Sequence, residues 1–285
     1  MTFSALLLIL GLTSSVNLSQ PAQSDLRIAV DGAELAATLT VPAGDHRHPA
    51  VLLLAGSGPS TRQGLRRFAD HFTRLGFATL VFDKRGSGQS TGSWTTASLA
   101  DMVADAKAAI AVLQEDPRID PARIGVWGVS QAGWFVPVLA EQTPTLAFAM
   151  VLTGGGATPQ EGTPWLAALG IEGVMPSDAN RPSWEWVARF DPAPYIARMR
   201  VPTLVLLGAE DLMGSPTVAA ERWTQGLAAA NNTKSFVEIV PGMGHAATIG
   251  SQHEQGGATL PDYFSAVERF VRALGILPRS PTLME

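Results

Sequence analysis

Four short, predominantly apolar runs, each closing on a glycine-rich or polar turn, leave this chain few architectures. Ala50–Ala55, Phe77–Phe82, Ile124–Trp127 and Ala147–Leu152 lack the polar alternation of a strand with one wet face. They have the composition of strands buried on both sides. Two further β-type runs follow, Pro202–Gly208 and Ser235–Val240, and helical spacing fills the intervals between runs. Leu65, Phe68, Ala69, Phe72 and Leu75 mark a helix over Arg62–Leu75 with Gly76 placed to cap it, and Leu99, Met102, Val103, Ala106, Ile110 and Leu113 mark another over Ser98–Gln114. Helices are also expected at Ser130–Glu141, Pro216–Ala230 and Pro261–Leu274. Strands alternating with helices predict an α/β fold: a mostly parallel central sheet covered by helices on both faces.

Before the first buried run, Leu26–Val41 carries an Asp31-Gly32 turn signal between two alternating stretches and reads as a β-hairpin. The α/β alternation breaks between about 157 and 200, where six prolines and Trp165, Trp184 and Trp186 occur without a strong strand pattern. This stretch is expected to leave the sheet as a small helical cap whose aromatics, with Phe190, line a pocket or form the cap's own core.

Residues 25–285 are read as one domain. The first twelve, Met1–Leu12, form an apolar run too short to span a bilayer, and a polar segment ending Pro21-Ala22-Gln23-Ser24 follows. Residues 1–24 therefore resemble a secretory signal peptide, though no Lys or Arg precedes the apolar run. The expected location is secreted or periplasmic if this segment is cleaved, and cytoplasmic otherwise. Cysteine is absent, which excludes thiolate chemistry and disulfides. A net charge of −5 and scattered Lys and Arg argue against a nucleic-acid partner, and no stable membrane span is expected. His46 and His48 flank Arg47 in a polar loop, and no metal site is expected there; His71 and His253 are read as solvated.

Two serines compete for a catalytic role. Gly88-Gln89-Ser90-Thr91-Gly92 matches G-x-S-x-G letter for letter, while Gly128-Val-Ser130-Gln-Ala-Gly133 has Ala132 at the last position of that pattern. Composition alone gives roughly an even chance of one such motif by accident, so context must decide. A nucleophile elbow needs a strand, a sharp turn and a helix. Ser130 stands between a buried run and a helix, whereas Ser90 sits in a polar loop with no strand leading into it. Two further strand ends carry partners: the acidic pair Glu210-Asp211 after Gly208, and His245 after Val240, giving the chain order Ser, acid, His.

Taken together, these segments resemble the α/β-hydrolase fold over about residues 26–274, in its bacterial carboxylesterase-like and serine-aminopeptidase-like branch. Gly-Val-Ser130-Gln-Ala-Gly-Trp134 is similar to that branch's elbow, Ala55-Gly-Ser-Gly-Pro59 to its oxyanion loop, and Asp83-Lys-Arg-Gly-x-Gly-x-Ser90 to the loop after the next strand. Gly208-Ala-Glu-Asp211 and Gly242-Met-Gly-His245 are similar to the acid and histidine loops. The resemblance implies a Ser130–His245–Asp211 triad, with Asp211 favoured over Glu210, and an oxyanion hole from the backbone N–H groups of Ser57 and Gln131. It also implies a small-molecule ester substrate and no metal or organic cofactor; an acyl-thioester hydrolase, an aminopeptidase-type peptidase and a non-catalytic binding protein are the alternatives. Ala55 stands where the oxyanion loop usually carries a histidine. Asp83 and Arg85 are expected to brace their loop, and oligomeric state is left open.

Overall fold

The computed structural model describes residues 20–158, 161, 189–249, 259 and 261–277. Eight strands form one sheet: β1 (Ala22–Val30), β2 (Ala33–Val41), β3 (His48–Leu54), β4 (Ala78–Phe82), β5 (Ile119–Val129), β6 (Phe148–Leu152), β7 (Thr203–Gly208) and β8 (Phe236–Val240). Their spatial order is β1-β2-β4-β3-β5-β6-β7-β8. The β1–β2 hairpin and the β2–β4 pair are antiparallel, and every pairing from β4 to β8 is parallel. The expected mostly parallel sheet is therefore present, with an antiparallel hairpin on one edge.

The helices are α1 (Arg66–Arg74, after a 3-10 turn at Arg62–Leu65), α2 (Leu99–Glu115), α3 (Ala132–Gln142), the short α4 (Ala193–Ile196), α5 (Pro216–Ala229) and α6 (Pro261–Ala273). Ser98 caps α2 in a reciprocal capping box with Asp101, so both ends of that exchange satisfy backbone donors that a helix start leaves open. At the end of α1 the left-handed Gly76 (φ 98°) turns the chain into β4, as its position in the sequence predicts.

Successive side chains of a strand point to opposite faces, and the predominantly apolar runs consequently feed two cores. Leu52, Leu54, Val126, Ala149, Val151, Val205 and Leu207 pack with residues of α2, α3 and α5, including the fully buried Trp223. Val51, Leu53, Trp127, Met150, Leu152 and Leu206 face the other way and pack with Phe68 and Phe72 of α1 and Tyr263, Val267 and Phe270 of α6. Trp127 donates its indole N–H to Tyr263 Oη at 2.7 Å, satisfying two polar groups inside the second core.

The structure corrects several boundaries. β1 begins at Ala22, four residues before the predicted hairpin, and Ala22, Gln23 and Ser24 pair with Val41, Thr40 and Leu39. β5 starts at Ile119 instead of Ile124. His71 is buried, not solvated: it shares the inner side of α1 with Phe68 and Phe72 and its ring lies 4.2 Å from that of Phe264. Burial pushes its imidazole down to about 4. His48 is likewise buried as the first residue of β3, its ring 4.3 Å from that of His46. Most of the expected cap, with Trp165, Trp184 and Trp186, lies outside the described residues, as do His253 and the proposed signal segment up to residue 19. Within the described part, α4 returns the chain to the core through Ile196, and Phe190 packs near Tyr195 with ring centroids 5.5 Å apart.

Candidate active site

Every predicted site residue lies at the carboxyl end of a parallel strand, where open α/β sheets place their ligands. Ser130 follows β5 directly and adopts φ 54°, a left-handed conformation that costs a residue with a Cβ roughly 1–2 kcal/mol. The surrounding backbone holds it there. Ser130 N–H donates to Leu152 O at 2.9 Å, and Gly133 N–H donates to Ser130 O at 2.8 Å. Gly154 packs against the same turn so closely that a Cβ would collide with the Ser130 carbonyl. Ala132, the departure from the common elbow pattern, is fully buried; a Cβ at position 128 would lie 2.7 Å from its methyl, so glycine at 128 makes room for alanine at 132.

Asp211 and His245 arrive from the ends of β7 and β8. Asp211 Oδ2 lies 2.8 Å from His245 Nδ1, while its Oδ1 accepts the Met213 N–H at 2.8 Å. Asp211 is buried and the adjacent Glu210 is exposed, so of the acidic pair Asp211 is the one that faces the imidazole. Gly208 lets the histidine loop lie directly on the end of β7, since a Cβ there would strike Met243 O.

The histidine loop is also anchored from below. Ala246 N–H donates to Thr153 Oγ1 at 3.1 Å, and Arg67 Nη2 donates to Ala246 O at 3.0 Å. Residues 153 and 154 thus touch both halves of the site: Thr153 holds the loop of His245, and Gly154 packs on the backbone of Ser130. Ser130, Thr153, Ala246 and Ala247 are four of the five non-glycine residues with positive φ among those described. Strain of this kind collects where surrounding packing fixes a functional geometry.

The loop after β3 faces the serine. A Cβ on Gly56 would sit 3.1 Å from Ser130 Cβ and 3.6 Å from its Oγ, which makes residue 56 the immediate neighbour of the hydroxyl. Ser57 is exposed beside it, and the Gln131 side chain is buried at the start of α3. Lys84, from the loop after β4, reaches between the two segments. Its Nζ donates to Gly56 O at 2.6 Å and to Gln131 Oε1 at 2.8 Å, with Gly58 O at 3.4 Å. Burial pushes the Lys84 ammonium down to about 7, with the charge of Asp105 opposing the shift. No local sequence signal marks this lysine as part of the site.

The loop that carries Lys84 is itself braced, as expected of Asp83 and Arg85. Asp83 accepts the backbone N–H groups of Arg62 (2.7 Å) and Gln89 (2.9 Å), and Arg85 makes a two-point pair with the buried Asp105 at 2.8 and 2.6 Å. Ser90, the rival serine, is spent inside this loop: its hydroxyl donates to Asp83 O at 2.6 Å and accepts the Ala36 N–H at 2.8 Å. Among the described residues, no group of three or more His, Asp or Glu side chains could hold a metal ion, and no helix is long and apolar enough to cross a membrane.

Comparison with known proteins bears on the fold that carries these residues. Residues 31–163 match the X-Pro dipeptidyl-peptidase family S15, a stretch that holds Ser130, Lys84 and the loop at 55–59 but neither Asp211 nor His245. An uncharacterised 31.7 kDa protein of Escherichia coli is 26% identical over 81% of this chain and 95% of its own length. Esterase EstD of Thermotoga maritima is 26% identical over 74% of this chain and 57% of its own. Among solved structures, the esterase Pf2001 of Pyrococcus furiosus superposes with a TM-score of 0.65 at 18% identity, covering 89% of this chain and 90% of that one.

Proposed function

We propose that this chain, whose fold is that of the α/β hydrolases, is a serine hydrolase that cleaves carboxylic esters through an acyl-enzyme on Ser130. The observation that carries this reading is the 2.8 Å Asp211–His245 pair, delivered from two separate strand ends at the same edge of the sheet as a serine held in a left-handed turn. A serine hydroxyl is a weak nucleophile at neutral pH and needs a base. With Nδ1 engaged by Asp211, the His245 ring offers Nε2 to take the Ser130 proton as Oγ attacks the ester carbonyl. The resulting oxyanion is bound by the N–H groups of Ser57 and Gln131, aided by the positive end of α3. His245 returns the proton to the departing alcohol, leaving the acyl group on Ser130. A water molecule, deprotonated by the same imidazole, then releases the carboxylic acid and restores the serine.

The match to a dipeptidyl-peptidase family favours one second reading, cleavage of an amide. A peptidase that trims amino termini needs a carboxylate to hold the substrate ammonium. Of the cap acids Glu161, Glu172, Asp178 and Glu185, only Glu161 lies among the described residues, and it is already paired with Arg222 at 2.6 Å.

The test is a series of aryl esters of increasing acyl length, run beside an acyl thioester and an aminoacyl anilide on wild type and Ser130→Ala. Hydrolysis of the esters that disappears in Ser130→Ala supports the proposal; preference for the anilide or thioester moves the protein to the corresponding neighbour activity, and undiminished hydrolysis in Ser130→Ala removes the serine from the mechanism. For location, the apolar Met1–Leu12 run supports export, and the amino-terminal residue of exported protein checks it: a chain still starting at Met1 rules out cleavage.

A further inference from the structure

We propose that Lys84 is the positioning residue of the oxyanion hole, clamping and polarising the peptide between Gly56 and Ser57 while anchoring Gln131. This inference rests on the serine-hydrolase reading above and assigns a role in it to a buried cation that the triad does not use.

The argument is one of peptide geometry. Gly56 C=O and Ser57 N–H belong to the same planar, trans amide, so they point in opposite directions. A donor that fixes the carbonyl therefore fixes where the N–H is aimed. Lys84 Nζ sits 2.6 Å from Gly56 O, the shortest of its contacts, and Gly56 is the residue that packs on the Ser130 side chain. A positive charge on the carbonyl side also draws electron density through the amide, which makes the N–H on the other side a stronger donor. The same nitrogen holds Gln131 Oε1 at 2.8 Å, and the Gln131 backbone N–H is the second oxyanion donor. One cation thus joins the residues that carry both donors. Three acceptors around Nζ, with Gly58 O at 3.4 Å, match the three N–H groups of an ammonium.

The clamp also answers the departure at Ala55. Where a loop histidine is lacking, the segment from 56 to 60 needs other support, and the loop after β4 supplies it. Lys84 N–H donates to Ser60 O at 2.9 Å, and Ser60 N–H donates to Ser87 Oγ at 3.2 Å, so the far end of the segment is fixed by the loop that brings in the lysine. The Arg85–Asp105 pair and the contacts of Asp83 hold that loop rigid in turn.

A positioning role acts on the transition state, where the oxyanion exists, more than on the bound ester. Lys84→Met keeps the length and removes the charge; it is expected to lower kcat about 10- to 100-fold with KM within about threefold of wild type. Binding of a trifluoromethyl ketone, which adds Ser130 and forms an oxyanion, is expected to weaken by a similar factor, whereas loss of structure alone would not single out that inhibitor. Gln131→Met removes only the side-chain acceptor and leaves the backbone donor; a loss of about 3- to 10-fold in kcat is expected, and the two substitutions together fall short of the product of their separate effects because they break one clamp. Gln131→Met keeps the question open to measurement even if Lys84→Met does not fold. Wild-type kcat and wild-type inhibitor affinity in the folded variants overturn the inference while leaving the triad intact. Absence of ester hydrolysis in wild type, or its survival in Ser130→Ala, overturns the underlying reading and this one with it.

Discussion

Ser130 and Ser90 lie in near-identical sequence motifs, and the fold uses them in opposite ways. Ser90 has both hydrogen-bonding capacities of its hydroxyl engaged, giving to Asp83 O and receiving from Ala36 N–H, so it joins the loop after β4 to strand β2. Ser130 has its backbone N–H and C=O both engaged, while its side chain lies against Gly56. The difference is one of position. A serine in a polar loop finds backbone partners near it, whereas a serine at the end of a buried strand, turned left-handed by close packing, is lifted away from them. A hydroxyl satisfied twice over is a brace; the Ser130 hydroxyl, on a strained turn, is the one the proposed mechanism uses.

The sharpest way to break this contrast is to delete each hydroxyl. Ser130→Ala is expected to reduce kcat for an ester substrate by about 10⁴-fold or more while changing the melting temperature little, read by steady-state kinetics and calorimetry. Asp211→Asn comes next, with a loss of about 10⁴-fold in kcat as the imidazole loses its orienting carboxylate. Glu210→Gln on the exposed neighbour is expected to leave kcat at the wild-type value, and equal losses at both positions would dissolve the assignment of the acid. Gly154→Ala forces a methyl into the Ser130 carbonyl; it is expected to cost about 1–3 kcal/mol in denaturant unfolding and to lower kcat, because the elbow must shift to admit it. The smallest effect on catalysis is reserved for the brace. Ser90→Ala is expected to keep kcat and to lose about 1–3 kcal/mol of stability, since the Ala36 N–H is left buried without an acceptor. A catalytic defect in Ser90→Ala without a stability defect would reverse the roles given to the two serines.

Much of this was legible in the sequence because the signals are local. Buried parallel strands announce themselves by composition, and a helix by its spacing, which is why β3, β4, β6 and β7 lie within a residue or two of their expected places. The elbow, acid and histidine loops could be found because each follows such a strand. His71 was misread because its spacing from Phe68 and Phe72 is that of the apolar face, yet a histidine there was weighed by polarity instead of position. The early start of β1 at Ala22 escaped because Gln23, Ser24 and Asp25 pair along an edge where no apolar alternation is required. Choosing Asp211 over Glu210 depended on which carboxylate the turn after Gly208 directs inward, and adjacent residues in a turn do not reveal that by type. Lys84 was beyond reach for a further reason: its partners at 56, 58 and 131 come from two other segments, and only the assembled sheet brings those oxygens to one nitrogen.

The order of strands across the sheet also sets when the site can exist. Ser130 leaves a central strand, while His245 depends on β8, the outermost parallel strand and the last to be synthesised. A growing chain can therefore bury most of its core and still lack the loop of His245. Parallel pairings join distant segments and form slowly for that reason. Turnover of an ester would then act as a proofreader of folding: it begins only once the final strand has docked, and its onset can be timed against the burial of Trp127 and Trp223, which belong to the two cores assembled around the middle of the sheet.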